Sequence, residues 1–132
     1  MNKHKGQVSL EYLIMTSFLL AVTVIFFGFA IFLFNENAAI AEAESAVLTI
    51  ENNANFVASL GDESKVYFEV NVPENTTSFN VTGKSITMIV GANNIFTYSK
   101  VNLTPQSFST HGGRKIMSAS FEDGNVVVRE GA

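Results

Sequence analysis

The chain has no cysteine among its 132 residues. This absence excludes a disulfide framework, a zinc site built on thiolates and a cysteine nucleophile. It does not locate the protein, because a chain without cysteine is compatible with any compartment.

Charge is also scarce, and positive charge most of all. Charged residues make up 15% of the chain, and 8 lysines and arginines face 12 acidic residues, for a net charge of −4. No basic cluster follows Lys5. The basic surface that neutralises phosphates in a nucleic-acid-binding protein is therefore missing, and we expect no nucleic-acid partner.

What the chain has instead is one long apolar run. Residues Tyr12 to Phe34 include no charge over 23 positions, and six of the twelve phenylalanines lie in this stretch. As a helix it would span about 35 Å, enough to cross a bilayer core of about 30 Å. The remainder resembles an ordinary soluble domain in composition. The sequence therefore predicts a membrane-inserting segment joined to one small globular head.

The residues that flank this run predict its orientation in the membrane, but they leave open whether the segment is cleaved. Lys3, His4 and Lys5 precede the run and Glu36 follows it, so the short N-terminus should stay cytoplasmic and the head should lie outside. A cleaved secretory signal is one alternative, because Ala39–Ala41 supplies a small-x-small site, although the run is longer than usual. A signal anchor that is never cut is another.

The residues in front of the run carry a specific motif. The segment Lys5-Gly6-Gln7-Val8-Ser9-Leu10-Glu11-Tyr12-Leu13-Ile14-Met15 resembles the class III signal peptide of archaeal type IV pilins. That family has a short basic leader, a small residue and then Q-x-S-x-E-x-x-x-L at the start of a hydrophobic helix. Gln7, Ser9 and Glu11 match in register, and Met15 replaces the usual Leu with a side chain of similar volume.

The resemblance implies a processing step and partners. A membrane prepilin peptidase would cut between Gly6 and Gln7, and the small residue before the bond would let the backbone approach a narrow active site. The mature chain would then polymerise with identical or related pilin subunits in a helical filament. No cofactor is implied.

Glu11 is the polar residue that this interpretation explains best. A carboxylate at the edge of an apolar run is costly to dehydrate. Cleavage would leave a charged α-amine on Gln7, and pairing would lower the desolvation cost of both charges. The amine could pair within its own chain or with Glu11 of the next subunit; the resemblance favours the second. A first-turn acid that only complements the helix dipole is the simpler alternative.

The helical pattern continues past the apolar run. Apolar residues recur at steps of three and four, while the acidic residues lie on other faces; the apolar set is Ile40, Ala43, Val47, Ile50, Ala54 and Val57. Gly61 is a natural C-cap. We therefore predict one helix from about Val8 to Leu60. Its parts are a leader (1–6), a transmembrane or filament-core segment (7–34) and an amphipathic continuation (35–60).

Gly28, inside the apolar run, has two interpretations that the sequence leaves open. Membrane helices commonly tolerate glycine. A glycine also permits close approach of a neighbouring helix, or local melting when a subunit leaves the bilayer.

Beyond Gly61 the apolar period becomes two, which predicts a β head over residues 61–132. Strands are expected at 66–72, around Phe79 and Val81, at 86–90, at 95–101, at 115–121 and at 126–128. Gly83-Lys84 is expected to turn, Pro105 and Gly112-Gly113 to lie in a loop, and Asp123-Gly124 to close a hairpin. The predicted fold class is α+β, with a long N-terminal helix packed on a mainly antiparallel sheet of five or six strands.

Little in the head suggests catalysis or metal binding. His4 lies in the predicted leader, which leaves His111 as the one candidate base, and a histidine in a polar loop is usually solvated. The acid pairs Asp62-Glu63 and Glu122-Asp123 form neither an EF-hand nor a histidine cluster. We expect no enzyme activity and no metal site.

Three Asn-x-Ser/Thr sequons lie in the predicted head, at Asn75, Asn80 and Asn102. The composition alone predicts about two such motifs in a chain of this length, so the count is close to random. Glycans at these positions would suit an exterior head.

Together these observations predict a structural subunit of an archaeal type IV pilus-like surface filament with a role in adhesion. It would be a membrane-held precursor first and part of an extracellular filament after cleavage. The alternative is a signal-anchored extracellular binding domain that does not polymerise.

Overall fold

The computed structural model describes residues 2–131, with side chains from Gly6 onward. The basic side chains of the predicted leader, Lys3, His4 and Lys5, lie outside this description. The chain divides after Glu36 into two compact units. The N-terminal unit is wholly helical, and the second contains the end of the helix and the sheet.

Helix α1 extends over Asn2–Leu60. It begins six residues before the predicted start at Val8, because the leader contains no proline and a single glycine, Gly6, costs a helix only about 1 kcal/mol. The C-terminus is as predicted: Gly61 follows Leu60 with a φ of +95°, a conformation that glycine adopts without strain.

Five strands follow α1, which confirms the α+β class with one helix packed on a sheet. They are β1 (Lys65–Val72), β2 (Thr76–Val90), β3 (Asn93–Ser107), β4 (Gly113–Glu122) and β5 (Asn125–Glu130). Their order in the sheet is β1-β4-β5-β3-β2. The pairs β1–β4, β4–β5 and β2–β3 are antiparallel, and β3 runs parallel to β5 at Leu103 and Val126.

The predicted turn at Gly83-Lys84 is wrong. The chain passes through these residues as part of the single strand β2, and the β2–β3 register shifts on both sides of Gly83. Gly83 has a φ of +56°. A glycine in a strand pattern marks a bulge as readily as a turn, and here the continuous partner strand selects the bulge.

The predicted loop at Pro105 is wrong for a related reason. Val81 pairs with Gln106 and Gly83 pairs with Leu103, so Thr104 and Pro105 together lie opposite the single residue Thr82. Proline has no backbone N–H to donate to a sheet, and a bulge is where a strand can hold it. β3 therefore continues to Ser107, and the loop is shorter than predicted.

The Asp123-Gly124 hairpin is confirmed. Glu122 pairs with Asn125 across this two-residue turn, and both turn residues have positive φ, +51° and +81°. Two consecutive positive φ values define a type I′ turn, whose twist matches that of the flanking strands.

The core lies between the C-terminal half of α1 and one face of the sheet. Five of the six predicted helix positions are buried there, and Ile40 is half-buried; the five are Ala43, Val47, Ile50, Ala54 and Val57. The sheet contributes Phe79, Ile86, Met88, Met117 and Val126, each 1% exposed or less. Ala46 also belongs to this face. The period of 3.6 thus identified the buried stripe.

Candidate functional site

The motif residues all lie in α1, and helical spacing decides which of them share a face. Gln7, Glu11 and Met15 follow one another at steps of four, so they lie along one side of the helix. Ser9 is half a turn away. All four side chains are exposed. Among the side chains of residues 6–131, none forms an ion pair with Glu11.

Gly6 lies one residue before the motif, in the helix. A Cβ placed at this position would meet nothing within 4 Å. The space beside the Gly6 Cα is therefore open within the described part of the chain.

The apolar segment after the motif is exposed along its length. Apart from Val22, the large apolar side chains from Val8 to Phe34 are between 41% exposed, at Leu33, and 74% exposed, at Tyr12. Val22 alone among residues 6–36 is half-buried. The hydroxyl of Thr23 donates to the carbonyl of Leu19 at 2.8 Å, so this polar group is satisfied inside the helix. The segment is long and apolar enough to span a membrane.

The acidic pairs of the head lie together. Asp62, Glu63, Glu122 and Asp123 line one shallow depression with Phe121. Glu122 is already engaged, because it accepts hydrogen bonds from Arg129 at 3.2 Å and from Ser120 at 3.0 Å. These hydrogen bonds, with the Arg129 charge, lower the pKa of Glu122. No group of three His, Cys, Asp or Glu residues suited to a metal is present among the side chains of residues 6–131.

His111 lies exposed in the loop between β3 and β4. Its backbone N–H approaches the hydroxyl of Ser109 at 3.4 Å. That hydroxyl is in a position to orient the loop backbone, and nothing in this contact activates a nucleophile.

The sequence analysis missed a polar network that anchors this loop. Glu130 accepts a hydrogen bond from the Ser109 backbone N–H at 3.0 Å and one from Lys115 Nζ at 2.9 Å. Lys115 Nζ also donates to the carbonyl of Ser109 at 2.8 Å. Partial burial alone would raise the pKa of Glu130, but the hydrogen bonds from Lys115 and Ser109 outweigh it and lower the pKa.

Two further polar contacts join α1 to β3. The hydroxyl of Thr97 donates to Glu51 Oε2 at 2.7 Å, and the hydroxyl of Ser99 donates to Asn55 Oδ1 at 3.3 Å. Each contact connects residues more than forty positions apart in the chain, and no local sequence pattern predicts such a pair.

The three sequon asparagines differ in accessibility. Asn75, in the turn before β2, and Asn102, on β3, are exposed. Asn80 is half-buried in β2, and its side-chain amide donates to the hydroxyl of Ser78 at 2.8 Å. A glycan at Asn80 would have to be attached to this half-buried amide, so the exposed Asn75 and Asn102 are the better acceptors of the three.

Comparison with protein-family models, with curated proteins and with solved structures found no match.

Proposed function

We propose that this chain is the structural subunit of an archaeal type IV pilus-like surface filament. In this proposal a prepilin peptidase cuts the membrane-held precursor between Gly6 and Gln7. The mature chain then polymerises through its hydrophobic helix, and the head serves in adhesion at the filament surface. The resemblance of the Gln7-x-Ser9-x-Glu11 motif to class III signal peptides supports the proposal.

The observation that carries the proposal is the exposure of an uninterrupted apolar helix directly after that motif. From Tyr12 to Phe34 no charge and almost no buried side chain interrupts the surface. Such a surface needs lipid or other apolar helices around it, because burial of apolar area is what offsets the ordering of the chain. A bilayer covers it in the precursor, and neighbouring copies cover it in the filament.

Moving from lipid to a helix bundle hides little new apolar area, since lipid tails are as apolar as the side chains they contact. Specificity must then come from packing and from polar pairs. In the proposed filament the α-amine of Gln7 and the carboxylate of Glu11 of a neighbouring copy form such a pair and set the axial register.

N-terminal sequencing of the chain isolated from native membranes and filaments tests the processing step. We expect a mature chain that begins at Gln7. A chain that begins at Met1 would instead identify an uncleaved anchor with an extracellular binding head. A start just after Ala41 would identify ordinary secretion and remove the apolar segment of the helix from the mature protein.

The assembly step is tested by Glu11→Ala. We expect cleavage after Gly6 to continue and filaments, counted by electron microscopy, to be lost, because the amine of a neighbour would be buried without a partner. Glu36→Ala is the matched control, since it removes the carboxylate at the other end of the apolar run and should leave assembly intact. Normal filaments from Glu11→Ala would defeat the proposed pair.

A further inference from the structure

Strand β1 (Lys65–Val72) is an edge of the sheet, with β4 as its neighbour on one side. The Phe121 backbone N–H donates to the carbonyl of Ser64 at 3.1 Å, immediately before the strand. In an antiparallel pair the hydrogen-bonded residues alternate. The even-numbered residues of β1 therefore bond to β4, and the odd-numbered residues turn their N–H and C=O groups to the open edge.

This edge has neither a proline nor a β-bulge, which are two of the features that keep sheet edges apart. β1 pairs with β4 over eight residues in unbroken register, and it contains no proline. The other edge, β2, is interrupted by register shifts around Gly83. A regular, unblocked edge strand is a template for another strand.

The side chains of β1 also suggest an incomplete core. On the face toward α1, Val70 and Val72 are 3% and 1% exposed, whereas Val66 and Phe68 remain half-buried. On the opposite face Tyr67 is 59% exposed. A strand placed beside β1 would cover Val66 and Phe68 and extend the same apolar layer.

The charges of β1 indicate which strand can pair with its open edge. Lys65, Tyr67 and Glu69 project from one face, and Lys65 Nζ lies 5.0 Å from the centre of the Tyr67 ring. Directly opposite residues of an antiparallel pair share a face. If two copies of β1 pair with Tyr67 opposite Tyr67, Lys65 of each copy lies opposite Glu69 of the other.

Other registers that keep the faces matched lose this complementarity. Pairing centred on Phe68 sets Lys65 opposite Asn71 and Tyr67 opposite Glu69. Pairing centred on Glu69 sets two glutamates against each other, and like charges directly opposite destabilise a sheet. The Tyr67-centred register also sets Val66 opposite Phe68 on the inner face.

We propose that β1 is a self-recognition strand, through which two heads of this protein join antiparallel about a two-fold axis at Tyr67. Glu69 Oε2 also lies 3.6 Å from Arg114 Nε, both side chains being exposed, so the carboxylate can meet a second cation from the partner. A two-fold contact closes on itself and cannot propagate. This contact is thus separate from polymerisation through the helix.

The absence of cysteine allows a direct test of the register by disulfide cross-linking. In full-length Tyr67→Cys protein in detergent micelles, oxidised with copper phenanthroline at low concentration, we expect a dimer on a non-reducing gel. Paired Cα atoms would be about 5.5 Å apart, within disulfide range. Asn71→Cys, exposed on the same strand face, is the control. Its two copies would lie about 26 Å apart and should remain monomeric.

Charge exchange tests the recognition itself. In the Tyr67→Cys background, Lys65→Glu should reduce the dimer yield about tenfold, because two attractive pairs become repulsive. Adding Glu69→Lys exchanges the charges and should restore the yield. In the unmodified chain, hydrogen exchange at the Tyr67 and Glu69 amides should slow as protein concentration rises.

Equal dimer yields from Tyr67→Cys and Asn71→Cys would overturn the proposal, as would a Tyr67→Cys protein that stays monomeric. Failure of the double exchange to restore cross-linking would also overturn it. None of these outcomes affects cleavage after Gly6 or the role of Glu11, so the two proposals fail separately.

Discussion

Ile25 and Ile50 lie in the same helix and meet opposite environments. Ile25, in the N-terminal unit, is 70% exposed, and Ile50, in the second unit, is fully buried. Around Ile25 the sequence is apolar on every side of the helix, whereas around Ile50 the apolar residues form one stripe with Glu51 and Asn52 beside it. A stripe can be covered by one sheet, but an apolar cylinder needs surroundings on all sides.

This difference teaches that the two parts of α1 obtain their stability from different sources. The part after Asn37 is stabilised within the chain, through the core it shares with the sheet. Residues 6–36 have almost no buried side chain, and in the proposed function lipid or neighbouring copies cover them. Substitutions should therefore act on the folding of the head in one unit and on insertion and assembly in the other.

Matched isoleucine variants test the comparison most strongly. Ile50→Ala should lower the free energy of unfolding of the head by about 2–5 kcal/mol, because a fully packed site loses three carbon atoms. Ile25→Ala should change it by less than about 0.5 kcal/mol. Urea titration of the full chain in micelles, followed by tyrosine fluorescence, to which Tyr12 contributes beside Tyr67 and Tyr98 of the head, measures both. Equal losses would show that the two units do not fold independently.

A second pair of variants compares two glycines and sharpens the comparison. A Cβ at Gly112 would lie 2.7 Å from the Cα of Glu74, whereas a Cβ at Gly28 would meet nothing within 4 Å. Gly112→Ala should therefore destabilise the head by about 1–3 kcal/mol in the same titration, because backbone must move. Gly28→Ala should leave the head unchanged. A neutral Gly112→Ala would mean that the loop and the β1–β2 turn separate easily.

Gly28→Ala also distinguishes the two interpretations of that glycine. If neighbouring helices approach closely at Gly28, filament yield should fall while the isolated chain is unaffected. If the glycine is merely tolerated, yield should be unchanged.

The smallest expected effect concerns pH. The folded-state pKa of Glu130 lies below its ordinary value of 4.5, so its contribution is present above pH 4.5 and is lost as pH falls through the folded pKa. Glu130→Gln should cost about 1 kcal/mol at neutral pH, discounted for partial exposure. The cost should disappear in acid. Urea titrations of variant and parent across this range give the measurement.

Glu69→Gln is the control for this titration. Glu69 and Arg114 are 3.6 Å apart and both exposed, and such pairs contribute little. If Glu69→Gln lowered the free energy of unfolding with the same size and pH dependence as Glu130→Gln, the Lys115–Glu130–Ser109 network would contribute no more than an exposed ion pair.

Several features of the fold were predictable because their causes are local. The stripe from Ala43 to Val57 follows from helical spacing, the end of α1 follows from Gly61, and the β4–β5 hairpin follows from Asp123-Gly124. The candidate motif at Gln7, Ser9 and Glu11 is local in the same sense, and its function remains a prediction that cleavage and assembly experiments will decide.

The errors fall where a partner strand determines the outcome. From the local sequence, Gly83 and Pro105 were predicted to interrupt strands. Both lie instead within long strands, at β-bulges. The missed contacts of Glu51 with Thr97 and of Lys115 with Glu130 join residues from different elements. Contacts between different elements, which no single segment encodes, decide each case.

Apart from Gly83-Lys84 and Pro105, the sequence by itself determined most of the helical and extended segments and the buried stripe of α1, because these depend on neighbours within a few residues. Tertiary structure alone decided the order β1-β4-β5-β3-β2, the parallel contact between β3 and β5, and the open edge at β1. Strand order depends on which apolar faces cover one another once the whole chain is assembled, and many orders satisfy the same local pattern.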